Sequence, residues 1–231
     1  QDWGNSRAGI VIGNWVERTT IGGEGDSQNI IGFNATYGVA ITGTQVLDTT
    51  FAGNKIRFNG SDGVLVAGAR NTQILGPNTT VSADQAEISD NDGNGVTFQN
   101  APISRIEFVK IEQNDQNGIA ATNSPTMTLH SLWVVHNDQN GIAATNSPTM
   151  TVQSLSVRGN GADGIALSGT LRDVTIADNT VVTNTLGGIR IGGQATDTTI
   201  TGNQVYTNTD AGITLQNTSG TLLEGNQVRG N

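Results

Sequence analysis

Apolar and polar residues alternate along this chain in short bursts, and most bursts are entered or left through Gly or Asn. A Gly followed by Ile or Val returns at Gly9-Ile10, Gly38-Val39, Gly63-Val64, Gly95-Val96, Gly118-Ile119, Gly141-Ile142, Gly164-Ile165, Gly188-Ile189 and Gly212-Ile213, at intervals of 23 to 32 residues. Within one period the bursts read Gly188-Ile189-Arg190-Ile191, then Thr199-Ile200-Thr201-Gly202-Asn203, then Gln204-Val205-Tyr206-Thr207-Asn208. Apolar side chains recur there at every second position, the spacing of a half-buried strand. The pattern predicts two or three short strands per period. A unit of that size cannot bury its apolar face alone and must stack on copies of itself.

Strands one period apart then lie side by side, parallel and about 4.8 Å from one another, so nine rungs make a rod about 40 Å long. The expected fold is an all-β solenoid, a parallel β-helix of about nine coils. Ile10, Val39, Val64, Val96, Ile119, Ile142, Ile165, Ile189 and Ile213 form one inward aliphatic column. The chain reads as a single domain over 1–231, with irregular coils in 1–95 and regular coils in 96–231. Pro77 and the polar run Asn78 to Gln85 predict a protruding loop. A second column is expected from the Asn that closes the middle strand: Asn54, Asn91, Asn114, Asn137, Asn160, Asn179, Asn203 and Asn226. Asn tolerates the left-handed turn conformation, and stacked amides hydrogen-bond from coil to coil. Nine residues separate Asn54, Asn179 and Asn203 from the next Gly, and four separate Asn91, Asn114, Asn137 and Asn160 from theirs, which predicts a cross-section that changes along the rod.

Composition agrees with short strands and tight turns: 31 Gly and only 4% aromatic residues. The net charge is −9 and the 11 basic residues are scattered, so the chain lacks the basic footprint of a nucleic-acid binder. Without Cys there are no disulfides or thiolate metal sites. No stretch approaches the roughly 20 apolar residues of a membrane span. The chain opens at Gln1 without a charged and apolar leader, and the expected location is extracellular or the cell surface.

The G-[IV]-x-[ILV] strand, the x-[IL]-x-x-N turn and the N-x-V-x-x-N strand together resemble the right-handed parallel β-helix repeat family. That family includes polysaccharide lyases, polygalacturonases, alginate epimerases and adhesin-like bacterial surface proteins. The resemblance spans essentially the whole chain and implies a right-handed coil. It leaves function open, because a fold does not imply an activity. Members that cleave or epimerise uronic acid polymers need several carboxylates and a basic residue converging on one strand face. Here the outward column of the Gly-Ile strand is Val11, Ala40, Leu65, Thr97, Ala120, Ala143, Ala166, Arg190 and Thr214, small and mostly apolar. The acid-rich motif of alginate epimerases is absent. No catalytic residue is assigned, and an enzymatic reading would be a lyase or epimerase.

The middle strand offers a more varied outward column: Thr50, Glu87, Lys110, Trp133, Ser156, Thr175 and Thr199, with Ser89, Glu112, Val135, Arg158 and Ala177 beside it. Glu87, Lys110, Glu112, Trp133 and Arg158 suit carbohydrate binding, a stacking indole beside a carboxylate and lysine pair. The same residues also read as an ion pair with a cation and ring contact on a solvated face. Asp92, Asp115 and Asp138 recur in N-D-x-N-G turns, with Asp163 one turn position further on, and carboxylates one rung apart can offer oxygen ligands to Ca²⁺. Otherwise no cofactor is expected. Sequons fall at Asn34, Asn78 and Asn217, and the paired threonines of an ice-binding plane are confined to Thr199 and Thr201.

Asn114 to Thr128 reappears unchanged as Asn137 to Thr151, so two neighbouring coils present the same surface. No amphipathic helix caps either end. The expected partners are therefore a second copy stacked head to tail or an adjoining solenoid of a longer parent, with a polysaccharide as further ligand. These features favour a secreted structural or adhesive β-solenoid, assembling into a filament or surface layer. The alternative is a polysaccharide-binding or polysaccharide-modifying β-helix.

Overall fold

The computed structural model describes residues 5–23, 27–77 and 86–231. Within them the chain winds through three nine-stranded sheets whose strands pair with their counterparts one coil away. Sheet A runs from Ile10–Gly13 to Ile213–Leu215, sheet B from Glu17–Gly22 to Leu222–Glu224, and sheet C from Ile30–Gly32 to Gln227–Arg229. One coil reads Ile119–Thr122 in sheet A, Met127–His130 in sheet B and Trp133–Val135 in sheet C, so each coil has three sides. All pairings are parallel, with Ile119 opposite Val96 and Ile142 in sheet A. Thr170–Arg172, Gln194–Thr196 and Thr218–Ser219 form a further three-stranded sheet between A and B in the last coils. No helix among the described residues is long and apolar enough to cross a membrane.

The recurring Gly-Ile pair has a steric cause. Ile or Val points inward, and the residues from Val39 to Ile189 in that column are fully buried. The Gly before it lies against the next coil. A Cβ on Gly118 would sit 2.7 Å from the Gly141 carbonyl oxygen, 2.9 Å from Asn137 Nδ2 and 2.6 Å from a Val134 methyl. Nothing larger than hydrogen fits, and the same three contacts recur at Gly95 and Gly141.

Each of the two corners flanking sheet C is turned by one residue in the left-handed region followed by one residue that points inward. Between sheets B and C the left-handed residue is Phe108, Ser131, Ser154 or Asp178, with φ between 51° and 59°. After sheet C it is Phe33, Phe58, Asp90, Gln113 or His136, with φ between 52° and 59°. One such residue per corner reverses the side-chain alternation, so an inward residue follows it.

Two expectations are corrected by this geometry. The eight Asn do not stack in one column. Asn91, Asn114, Asn137 and Asn160 belong to the corner after sheet C, in a ladder that also takes in Asn5, Asn34, Asn59, Asn184, Asn208 and Asn231; each Nδ2 donates to the Oδ1 of the next rung at 2.8–3.0 Å. Asn54, Asn179, Asn203 and Asn226 lie at the corner between B and C. There Asn54 accepts from Asn29, and Asn179 donates to Asn203, which donates to Asn226. The counts of nine and four residues to the next Gly therefore measure two different corners; the change of cross-section along the rod comes instead from the extra sheet between A and B in the last coils. The predicted loop at Asn78 to Gln85, including the sequon at Asn78, lies outside the described residues.

A third ladder was not foreseen. On the turn leading back into sheet A, Asn117 Nδ2 donates to Asn94 Oδ1 and Asn140 Nδ2 to Asn117 Oδ1, both at 2.9 Å. This ladder donates toward the N-terminus, opposite to the one after sheet C. Asp163 takes the register of Asn140, two positions beyond the Asp138 position and not one: its N–H donates to Asn140 Oδ1, its carboxylate accepts from Gly187 N–H at 2.8 Å and pairs with Arg190.

Candidate functional site

Sheet C carries the five residues singled out for carbohydrate binding. Period-two alternation turns Ile88, Ile111, Val134 and Val157 inward, where they are fully buried, and their neighbours outward. Backbone register places Glu87 opposite Lys110 and Lys110 opposite Trp133. In the adjacent outward column Glu112 faces Val135, and Val135 faces Arg158. All five thus share one face over four successive strands. Thr50, Thr175, Thr199 and Ala177 do not join them, because their strands belong to sheet B.

Of the charges singled out on this face, Glu87, Lys110 and Glu112 are engaged within it. Lys110 pairs with Glu112, both partly exposed, an arrangement worth about 0–1 kcal/mol in water. Ser89 Oγ donates to Glu87 Oε1 at 2.8 Å. Among the described residues of this face no carboxylate stands opposite a second one with room for a reacting group, and their polarity is that of a binding surface.

Trp133 lines a depression of about 300 Å³ with Ser131, Leu132, Ser154, Leu155, Ser156, Asp178 and Thr180. Leu132 and Leu155 are inward residues of the corner and form its floor. Ser131, Ser154 and Asp178 are the left-handed corner residues of three successive coils. An indole edged by hydroxyls and one carboxylate, with Asp178 also accepting from Gln153 Nε2 at 3.3 Å, is a cup for a polyhydroxylated ring. Sequence reasoning found Trp133 and Ser156 and missed Ser131, Ser154 and Asp178. Their signal was a small polar residue returning at 23 and 24 residues one position before the inward Leu132, Leu155 and Asn179.

Asp92, Asp115 and Asp138 do line up one rung apart, as shown by the bonds from their N–H groups to the carbonyls of Asn59, Asn91 and Asn114. All three are exposed. Among the described residues no three His, Cys, Asp or Glu side chains converge to hold a metal. The sequon residue Asn34 is buried in the ladder after sheet C, where its amide donates to Asn59. Sheet B presents outward Thr128, Thr151, Thr175 and Thr199 on four successive rungs, a longer row than sequence disclosed. Its companion positions are His130, Gln153, Ala177 and Thr201, so the row is one threonine wide over most of its length.

A family model described as right-handed β-helix region matches residues 37–231. The chain belongs to that family. Comparison with curated proteins finds no match. Among solved structures, the chain is similar to the A-module of the mannuronan C-5 epimerase AlgE6 of Azotobacter vinelandii, with a TM-score of 0.65 and 15% identity over 84% of this chain and 56% of that one. It is similar to the Dettilon tailspike protein gp208, with a TM-score of 0.62 and 15% identity over 96% and 53%. The pectate lyase Pel9A aligns with a TM-score of 0.57 and 11% identity over 84% and 55%. At such identities the likeness is one of fold, and the β-helix described here spans little more than half the length of these neighbours.

Proposed function

We propose that this chain is an extracellular, non-catalytic β-helix rod that adheres to polysaccharide through sheet C, with Trp133 as its anchor. The supporting observation is the cup of about 300 Å³ in which the indole stands among Ser131, Ser154, Ser156, Asp178 and Thr180. Aromatic anchors in partly desolvated pockets carry a large share of binding energy. The Lys110–Glu112 pair, which neutralises itself on the face, favours binding over turnover, as does the lack of a convergent acid and base pair among the described residues. A polymer laid along the rod would meet Lys110, Trp133 and Arg158 in succession.

Titration of the chain with a panel of soluble polysaccharides, followed by calorimetry, tests this reading. Trp133→Ala should weaken the best ligand about tenfold or more while leaving the far-UV spectrum unchanged, with no new reducing or unsaturated ends after prolonged incubation. A panel without a ligand, or an affinity indifferent to Trp133→Ala, would refute it. Repeating the titration in EDTA asks whether Ca²⁺ on the Asp92, Asp115 and Asp138 row contributes. Stacking of a further rung, from a second copy or an adjoining solenoid, would cover Leu222, Leu223 and Val228, each about half exposed; electron microscopy for filaments tests that assembly.

A further inference from the structure

A second and larger depression, about 570 Å³, lies at the corner after sheet C, lined by residues that include Ser6, Phe33, Phe58, Asp90 and Asp92. Phe33 and Phe58 occupy the left-handed corner position on consecutive rungs, with φ of 59° and 56°. Their rings stack with centroids 5.1 Å apart and planes at 21°. Both remain open to solvent, Phe33 at 62% and Phe58 at 42%. The same position holds Gln113, His136, Gly159 and Thr183 on later rungs. A bulky aromatic is a poor occupant of the left-handed region, and an exposed ring gains little from leaving water. Two residues that break both local rules on adjoining rungs mark a site where structure serves binding at the expense of local fit.

The chemistry of the groove selects its ligand. The Arg57 guanidinium already lies 5.6 Å over the Phe58 ring, so these ring faces accept cations. At the rim stand Asp90 and Asp92, whose hydrogen bonds to neighbouring rungs run through their main chains, leaving the carboxylates to the groove. Asp115 and Asp138 continue the Asp92 row along the rod, both exposed. On a chain of net charge −9 this corner repels polyuronates and attracts positive groups. We propose that it binds an amine-bearing glycan laid along the rod, with one sugar ring against Phe33 and the ammonium of a following residue, beyond Phe58, toward Asp90 and Asp92. The site is separate from the Trp133 cup and does not rest on it.

Calorimetric titration of the full chain with an oligomer of glucosamine, a cello-oligosaccharide and a mannuronate oligomer of equal length decides the matter. The variants are Phe33→Asn and Asp92→Asn. Asn suits a positive φ, so Phe33→Asn removes the ring without burdening the backbone. The glucosamine oligomer should bind, more weakly as salt is raised, and about tenfold more weakly to either variant. The cello-oligosaccharide should respond to Phe33→Asn and ignore Asp92→Asn. Failure of the glucosamine oligomer to bind, unchanged affinity in both variants, or preference for mannuronate would overturn the proposal. Sensitivity to Trp133→Ala alone would also overturn it while sustaining the cup on sheet C.

Discussion

The corner after sheet C and the corner between sheets B and C share one plan, a left-handed residue followed by an inward one, yet they are filled differently. After sheet C the inward residue is Asn on every described rung, from Asn5 to Asn231, in an unbroken amide ladder. Between B and C it is Asn at both ends of the rod, Asn29, Asn54, Asn179, Asn203 and Asn226, but Ala86, Val109, Leu132 and Leu155 in the middle. The corner between A and B follows suit, with inward Thr49, Thr72, Thr198 and Thr221 toward the ends and Met127, Met150 and Val174 between them. The difference comes from the neighbours. The ladder after sheet C abuts the Gly column, where a Cβ on Gly118 would already be 2.9 Å from Asn137 Nδ2; an aliphatic branch has no room there, and the flat amide satisfies main-chain groups on two rungs. The other corners have space for either solution.

Breaking the unbroken ladder should therefore cost most. Asn137 Oδ1 accepts from Asn114 N–H and Nδ2, and its own Nδ2 donates to Asn160 Oδ1, all buried. Asn137→Ala leaves several of these groups unsatisfied and is expected to cost about 4 kcal/mol, read as a lower urea midpoint and faster amide exchange in the flanking rungs. A loss under about 1 kcal/mol would mean that water replaces the ladder.

At the permissive corner the penalty should be smaller. Asn179→Leu sacrifices the bonds to Asn203 and to the Leu155 N–H but extends the aliphatic column formed by Leu132 and Leu155. The expected cost is about 1–2 kcal/mol, and equality with Asn137→Ala in the same denaturation experiment would erase the distinction between the corners.

The smallest effect should have the opposite sign. Thr72 Oγ1 is buried with no hydrogen-bond partner, as are those of Thr49, Thr198 and Thr221. Thr72→Val replaces an unsatisfied hydroxyl with a methyl of nearly the same shape and should stabilise by about 1 kcal/mol. A destabilised variant would show that the hydroxyl is paired in solution, by water bridging it to a main-chain group.

Much of the candidate surface was legible because alternation at period two needs no tertiary information: Glu87, Lys110, Glu112, Trp133 and Arg158 were read as outward and share one face of sheet C. The error was to give every coil one middle strand. Asn54 and Asn59, Asn179 and Asn184, and Asn203 and Asn208 recur five residues apart, the length of one strand of sheet C with its corner residue. That spacing held the evidence for two corners. Ser131, Ser154 and Asp178 stayed hidden for a related reason, since corner residues follow no apolar rhythm and are assigned only once the strands on either side are known. Phe33 and Phe58 carry no signal in the alternation, and their own positive φ turns each of them outward.

The sequence by itself determined the stacked parallel coil, because the Gly before each inward Ile or Val meets the same atoms of the next rung and only hydrogen fits. It also determined which alternation phase is buried, since a slip of one residue would send a whole aliphatic column into water. Which Asn stacks on which, which outward residues share a sheet, and which side chains gather at the Trp133 cup and the Phe33 groove were decided only in the folded chain. Intervals of 23 to 32 residues place the extra residues at different corners in different coils. Register is therefore settled by hydrogen bonds between rungs, not by counting along the chain.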